Sequence, residues 1–141
     1  MKIQTFAIAV ISLLVFNSCK KDKTNNCEKT MAAISGTYSL IKMEANIGAG
    51  FEDADDREDC EKDDHIVLNA NGTVEYKDDG TVCDASGEDS GTWTIDSNGK
   101  TTISSGGDVY ALGSDITSFD CNTLVLSGTE LGIQYRITFK K

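Results

Sequence analysis

Hydrophobic and polar residues alternate along most of the chain, in short runs separated by turn-forming residues. The last run is the clearest, because Ile133, Tyr135, Ile137 and Phe139 share one face and polar residues lie between them. Since successive side chains of a strand point to opposite faces of a sheet, this period of two predicts strands with one buried face. Eight segments are predicted to be strands: residues 36–45, 65–69, 73–77, 91–96, 101–104, 109–112 (with an extension to 119), 123–127 and 132–140.

The connections between these strands are short and rich in Asn, Gly, Asp and Ser, which is typical of hairpins. Residues 27–34 can form a short helical turn, which Gly36 ends. With so little helix to cover a sheet, one-sided strands are best buried by closing the sheet on itself. We therefore predict an all-β fold, an eight-stranded antiparallel up-and-down β-barrel with a short N-terminal helical turn. A two-sheet sandwich is the alternative, because alternation alone does not separate the two.

Two local features refine this picture. Asn71-Gly72 is a strong hairpin signal, because both residues tolerate positive φ, and a two-residue turn there opposes residues whose numbers add to 143. In the first strand the apolar residues change phase between Leu40 and Ile41. This phase change predicts a bulge or a kink.

The N-terminus has the layout of a secretory signal, because Lys2 precedes an apolar run over residues 6–16 that is too short to span a bilayer. Asn17-Ser18-Cys19 follows and resembles the lipobox of bacterial lipoproteins. We expect residues 1–18 to be removed as a lipoprotein signal peptide and Cys19 to carry the lipid. The alternative is an ordinary signal peptide, with Cys19 in a disulfide.

The expected lipid anchor predicts both the domain boundaries of the chain and its cellular location. Residues 19–30 are predicted to form a lipidated tether and residues 31–141 the barrel domain. Lys20 and Lys21 lack the Asp that indicates inner-membrane retention. An outer-membrane lipoprotein, on the periplasmic face or the cell surface, is therefore the expected form.

Five cysteines leave one over if all disulfides are internal. Assigning Cys19 to the lipid leaves four, which allow three connectivities. Cys60 and Cys83 add to 143, so the symmetry of the predicted hairpin favours their pairing. Cys27 and Cys121 then pair by elimination.

The chain is acidic, with a formal net charge of −10, which argues against nucleic acid as a partner. The loop over residues 52–64 holds nine carboxylates against Arg57 and Lys62. Such a loop can hold Ca²⁺, but a solvated acidic loop is the favoured reading, and we predict no metal site. Further acids follow the third strand, so both segments should meet at the open end of the hairpin. Their negative field would attract a cationic ligand or a basic protein.

Catalysis finds little support in the sequence. His65 is the only histidine, and no Gly-x-Ser-x-Gly elbow is present. The many acids lie in loops that predict solvation, and they lack the apolar surroundings that separate the pKa values of a catalytic pair. We predict a protein without catalytic residues and without a cofactor.

A series of different short motifs follows in a characteristic order over residues 31–141: Gly36-Thr37-Tyr38, Cys60 before Asp63-Asp64, Asn71-Gly72-Thr73, Cys83, Gly91-Thr92-Trp93, Thr123-Leu124-Val125-Leu126 and Tyr135-Arg136. This layout resembles the lipocalin-like domains of bacterial lipoproteins, within the wider group of calycin barrels. The resemblance implies the fold and leaves the ligand open. Tyr38 stands where a Trp is usual. Alternation places Arg136 on the face opposite Tyr135, which argues against closure of the barrel base by Arg136 on Tyr38.

An eight-stranded barrel can be filled by its own side chains or can hold one small ligand. If a cavity is present, we expect Trp93, Tyr76 and Tyr135 to line it. The favoured function is a membrane-anchored protein that binds a small apolar ligand in or at the mouth of the barrel. The alternative is an acidic interaction protein, resembling an inhibitor, that engages a basic partner protein.

Overall fold

The computed structural model describes residues 27–83, 89–106 and 108–141; the expected signal peptide, Cys19 and most of the expected tether lie outside these residues. A short helix, α1, precedes nine strands, and one 3-10 turn (Asp59–Glu61) lies between the second strand and the third. In chain order the helix and strands are α1 (Met31–Ile34), β1 (Gly36–Asn46), β2 (Phe51–Asp53), β3 (His65–Leu68), β4 (Thr73–Lys77), β5 (Asp89–Ile95), β6 (Lys100–Ser105), β7 (Asp108–Phe119), β8 (Thr123–Glu130) and β9 (Ile133–Lys140).

The strands form one antiparallel sheet in which each strand from β3 to β8 pairs with the next along the chain. β1 pairs with β3 on one side and with β9 on the other, so eight strands close into a barrel. This confirms the predicted eight-stranded antiparallel barrel, and the closure excludes the sandwich. β2 is an additional short strand that pairs with the end of β1, and its three exposed residues gave no alternation from which to predict it.

The predicted irregularity in the first strand is confirmed as a register shift between Leu40 and Lys42 against β9. Ile41 is the extra residue, and its side chain is half exposed. After the bulge, Met43 opposes Ile137 and Ala45 opposes Tyr135. The bulge therefore lets both halves of β1 direct apolar residues into the barrel.

The hairpin between β3 and β4 forms at Asn71-Gly72, but the predicted register is wrong by one. The opposed pairs run from His65–Lys77 to Leu68–Val74, so opposed numbers add to one less than expected. The cause is a three-residue loop, in which Gly72 takes a φ of 89° and donates its N–H to the Asn69 carbonyl. A positive φ at this position is easily adopted by glycine.

One end of the barrel is filled by side chains, and we call it the packed end; it carries α1 and the turn between β7 and β8. Its core holds Ile34, Tyr38, Leu68, Val74, Trp93, Ile103, Phe119, Leu124, Leu126 and Phe139. Tyr38 donates its hydroxyl to the carbonyl of Ile34 at 2.5 Å, and burial raises its pKa. Lys141 Nζ lies 5.2 Å from the Tyr38 ring centroid. The cation over the Tyr38 ring is thus Lys141, while Arg136 lies over the ring of Phe51.

Two disulfides tie the barrel at opposite ends, and both have the predicted pairing. Cys27 and Cys121, with Cα atoms 5.4 Å apart, join the segment before α1 to the turn between β7 and β8. Cys60 and Cys83, with Cα atoms 5.5 Å apart, join the loops that leave β2 and β4. The second bridge lies at the end opposite the packed end, which we call the open end.

Candidate functional site

The barrel wall is split towards the open end, between β7 and β8. The ladder between these strands runs from Phe119–Leu124 only as far as Asp115–Ser127. Beyond it the first half of β7 pairs with β6, and the last residues of β8 pair with β9. β7 contains two register shifts against β6, and Gly113 takes a φ of 57° there. These bulges bend β7 away from β8.

Tyr135 of β9 spans this split. Its ring lies directly over Gly128 of β8, where a Cβ atom would be only 2.4 Å from the tyrosine oxygen. The hydroxyl reaches Ser114 Oγ of β7 at 2.7 Å and lies 3.4 Å from both the N and the O of Leu112. A single side chain of β9 therefore makes hydrogen bonds to β7 at the level where the ladder between β7 and β8 is missing.

A cavity of about 350 Å³ opens beside the split, and we call it the larger cavity to distinguish it from the cavity of about 200 Å³ described below. It is lined by Met43, Ala45, Ala54, Tyr110, Ala111, Leu112, Leu131, Ile133, Tyr135 and Ile137, with Glu44, Glu130 and Arg136 as its charged residues. Most of the lining is apolar, and several of its rim side chains are exposed: Leu131 almost completely, Leu112 and Ile133 by about half. Such a cleft suits an apolar group that carries few polar atoms.

The charged rim of the larger cavity is a compact ion-pair group on β1 and β9. Glu44 accepts hydrogen bonds from Arg136 Nε at 2.7 Å and from Lys42 Nζ at 2.7 Å. These contacts lower the pKa of the Glu44 carboxyl to about 2. The Arg136 guanidinium also lies 4.4 Å from the Phe51 ring centroid, which fixes β2 against this rim.

A second cavity of about 200 Å³, which we call the smaller cavity, lies deeper and under the acidic loop. Its apolar floor is formed by Leu40, Ile66 and Phe139. Its other lining residues are Tyr76, Tyr110, Arg57, Glu61, Asp64 and His65. The rings of Tyr76 and Tyr110 stack with centroids 6.2 Å apart. Tyr110 lines both cavities.

Arg57 fastens the acidic loop over the smaller cavity. It makes a bidentate contact with Asp55 at 2.8–2.9 Å, and it donates to the carbonyls of Leu40 at 2.8 Å and Glu61 at 3.2 Å. The hydrogen bonds from Arg57 lower the pKa of the Asp55 carboxyl, and the same contact raises the pKa of Arg57. The loop is thus bound to the barrel wall by the hydrogen bond from Arg57 to the Leu40 carbonyl, while the largely buried ion pair with Asp55 holds the Arg57 side chain in place.

The two acidic loops meet at the open end, beside the Cys60–Cys83 bridge. Asp63 accepts the backbone N–H of Thr81, and Asp64 accepts that of Asp79, both at 3.0 Å. His65 Nδ1 lies 2.8 Å from Asp79 Oδ2. Glu58 lies near the sulfurs of Cys60 and Cys83, but the disulfide leaves these sulfurs without the thiolate charge of a metal ligand.

The three predicted lining residues have different positions. Tyr135 lines the larger cavity and Tyr76 the smaller one. Trp93 lines neither; its side chain is completely buried at the packed end, where Nε1 donates to the Asn69 carbonyl at 2.7 Å. The expected place of Trp93 is therefore corrected, because its side chain is packed into the core and lines neither of these two cavities.

Residues missed by sequence reasoning include Met43, Ala111 and Leu112 of the larger cavity. The two bulges in β7 interrupt the alternation from which an inward position could be deduced. Met43 is placed by the bulge before it, and the phase change between Leu40 and Ile41 was the available signal.

Comparison with known proteins gives one match. A family model described as a lipocalin-like domain matches residues 34–126, about two thirds of the chain and most of the barrel. No curated protein and no solved structure matches. Within the described residues, no helix has the length and apolar character needed to cross a membrane.

Proposed function

Because this chain belongs to the family of lipocalin-like domains, we propose that it is a binding protein that holds a small apolar ligand in the larger cavity. Proteins of this family are generally binding proteins and not enzymes. The observation that carries the proposal is the cavity itself, which is mostly apolar, opens beside the split between β7 and β8 and measures about 350 Å³. This volume falls within the range of small-molecule sites, roughly 300–1,000 Å³.

The experiment is a titration with the fluorescent apolar probe N-phenyl-1-naphthylamine. Its emission rises in an apolar site, so saturable binding by the folded protein supports the proposal. Ala45→Phe adds bulk to the lining of the larger cavity and should weaken binding. Ala70→Phe makes the same change at an exposed residue and is the control. No saturable binding, or equal affinity in both variants, would contradict the proposal.

The cellular form that we propose is a lipoprotein anchored through Cys19, in the outer membrane. The apolar run over residues 6–16 and the cysteine after it support this. Anchoring would hold a ligand-binding barrel beside the membrane, where apolar molecules concentrate. Mass spectrometry of protein from the membrane fraction should find a lipid-modified Cys19 at the N-terminus. A mature protein that is cleaved elsewhere and carries no lipid would contradict this proposal.

A second candidate function is capture of a basic protein at the open end. It is supported by the meeting of the two acidic loops there and by the net charge of −10. An electrostatic complex should weaken steeply with salt. Binding of a lysozyme, as a basic test protein, should fall when Glu52, Asp53 and Asp56 are replaced by their amides. Capture that is unchanged by these substitutions would contradict it.

A further inference from the structure

Asp64 is a buried carboxylate in the wall of the smaller cavity. The residue is 5% exposed, and its carboxylate accepts hydrogen bonds from the Tyr76 hydroxyl and from the backbone N–H of Asp79. Within the described part of the chain, no Lys, Arg or His nitrogen forms an ion pair with it. Buried charges are ordinarily paired, because removing an ion from water costs several kcal/mol. Asp64 therefore lines the smaller cavity without a cationic partner among the described side chains.

Arg57 borders the same cavity but is already used. Its Nε and Nη2 atoms bind Asp55, and Nη2 also donates to the Leu40 carbonyl. Its Nη1 atom donates to the Glu61 carbonyl. The guanidinium charge is thus compensated by Asp55, and its donors hold the loop in place. An anionic ligand would face the carboxyl groups of Asp64 and Glu61, and the guanidinium of Arg57 is already paired with Asp55.

The remaining walls suit a cation that carries an apolar body. Tyr76 and Tyr110 present stacked aromatic rings, and the faces of such rings attract cations. Leu40, Ile66 and Phe139 form an apolar floor. Tyr110 also lines the larger cavity, so a tail that starts in the smaller cavity leads beside Tyr110 towards the larger one.

We propose that the smaller cavity binds the ammonium group of an organic amine, with Asp64 as its counter-ion and the apolar body directed towards the larger cavity. This inference rests on the proposed function and narrows its ligand to a cationic amphiphile. The volume of about 200 Å³ accommodates an ammonium group and a few carbon atoms. A longer tail would have to pass Tyr110, the residue that lines both cavities.

The test compares octylamine, octanol and octanoate, which share a chain and differ in charge at pH 7. Each displaces bound N-phenyl-1-naphthylamine, and each is used below its micelle concentration. We expect octylamine to bind at least tenfold more tightly than octanol, and octanoate to bind most weakly. Equal affinity for octylamine and octanol, or preference for octanoate, would overturn the inference.

Asp64→Asn keeps the shape of the side chain and removes its charge. It should weaken octylamine binding at least tenfold and leave octanol binding unchanged. Asp59→Asn is the control, because it makes the same charge change on a side chain that is 99% exposed. An equal loss of octylamine affinity in both variants would indicate a general electrostatic effect and would contradict the role of Asp64 as the counter-ion. If Asp64→Asn does not fold, the comparison of octylamine, octanol and octanoate on the wild-type protein still tests the inference.

The outcomes for the two proposals are distinguishable. Absence of probe binding would contradict the proposed function and the inference together. Saturable probe binding without a preference for the amine would leave the proposed function standing and remove only the inference.

Discussion

The hydroxyl of Tyr135 meets that of Ser114 at 2.7 Å, at the point where β7 and β8 separate. Tyr135→Phe should therefore cost about 1 kcal/mol of folding free energy, the ordinary value of one hydrogen bond. Amide hydrogen exchange at residues 112–114 should also accelerate, because this hydroxyl contacts β7. Urea unfolding and exchange mass spectrometry measure the two effects. Ser114→Ala should add little in the Tyr135→Phe background, and full additivity of the two changes would contradict a direct contact.

Gly128 is required because the Tyr135 ring lies over it. Gly128→Ala places a Cβ atom 2.4 Å from the phenol oxygen, and displacing the ring should cost about 1–3 kcal/mol. In a Tyr135→Ala background the same substitution should cost much less, since the clashing ring is gone. Urea midpoints of the four proteins measure this. The same cost in both backgrounds would show that the ring is not the cause.

Trp93 should contribute to stability and not to ligand affinity. Trp93→Ala removes a completely buried side chain and should cost about 3–5 kcal/mol. Affinity for N-phenyl-1-naphthylamine, corrected for the folded fraction, should remain unchanged. Tyr135→Ala is the comparison, because it alters the lining of the larger cavity and should change affinity. A large affinity loss in Trp93→Ala would refute this assignment.

The free energy of unfolding should fall at acid pH, and Glu44 is one cause. Its folded-state pKa is about 2, against an ordinary value of 4.5, so the unfolded chain takes up the proton first. The stabilising contribution is complete above pH 4.5 and is lost as the pH falls towards 2. The lowered pKa of Asp55 acts in the same direction.

Urea unfolding between pH 6 and pH 2 measures this dependence, and Glu44→Gln should flatten it. Glu52→Gln, an exposed residue of the neighbouring strand, is the control. An unchanged profile in Glu44→Gln would assign the acid sensitivity to other groups.

The two disulfides should contribute unequally. They close segments with sequence separations of 94 and 23 residues. On the chain-entropy model the longer closure contributes about 5 kcal/mol and the shorter about 3 kcal/mol. Replacing Cys27 and Cys121 by Ser should therefore destabilise more than replacing Cys60 and Cys83. Thermal unfolding of the two double variants compares them, and the reverse order would contradict the model.

The strands were predictable because alternation reports which side of a sheet is buried, and β9 shows it without interruption. The hairpin at Asn71-Gly72 was predictable in place but not in register. The same residues permit a two-residue or a three-residue loop, and the choice depends on how β3 and β4 twist against their neighbours. The pairing of Cys60 with Cys83 does not depend on that choice, because both loops leave the hairpin at one end.

The candidate site was only partly predictable. Tyr76 and Tyr135 face inward by simple alternation, and both line a cavity. By the same rule Trp93 faces inward, but alternation does not say at which height the barrel is filled. The split beside Ser114 depends on two bulges in β7, which no residue pattern marked. The place of Asp64 depends on the fold of the loop over residues 54–64, where Arg57 binds groups distant in sequence.

The bridge between Cys27 and Cys121 also has a mechanical consequence. A pulling force on the segment before Cys27 passes through the sulfur atoms to the turn between β7 and β8. The load therefore bypasses α1 and β1, and it does not pull β1 from the sheet one hydrogen bond at a time. Strands β7 and β8 share the load at that turn, while the split and both cavities lie towards the far end. Tension on the N-terminal segment is thus borne away from the cavities.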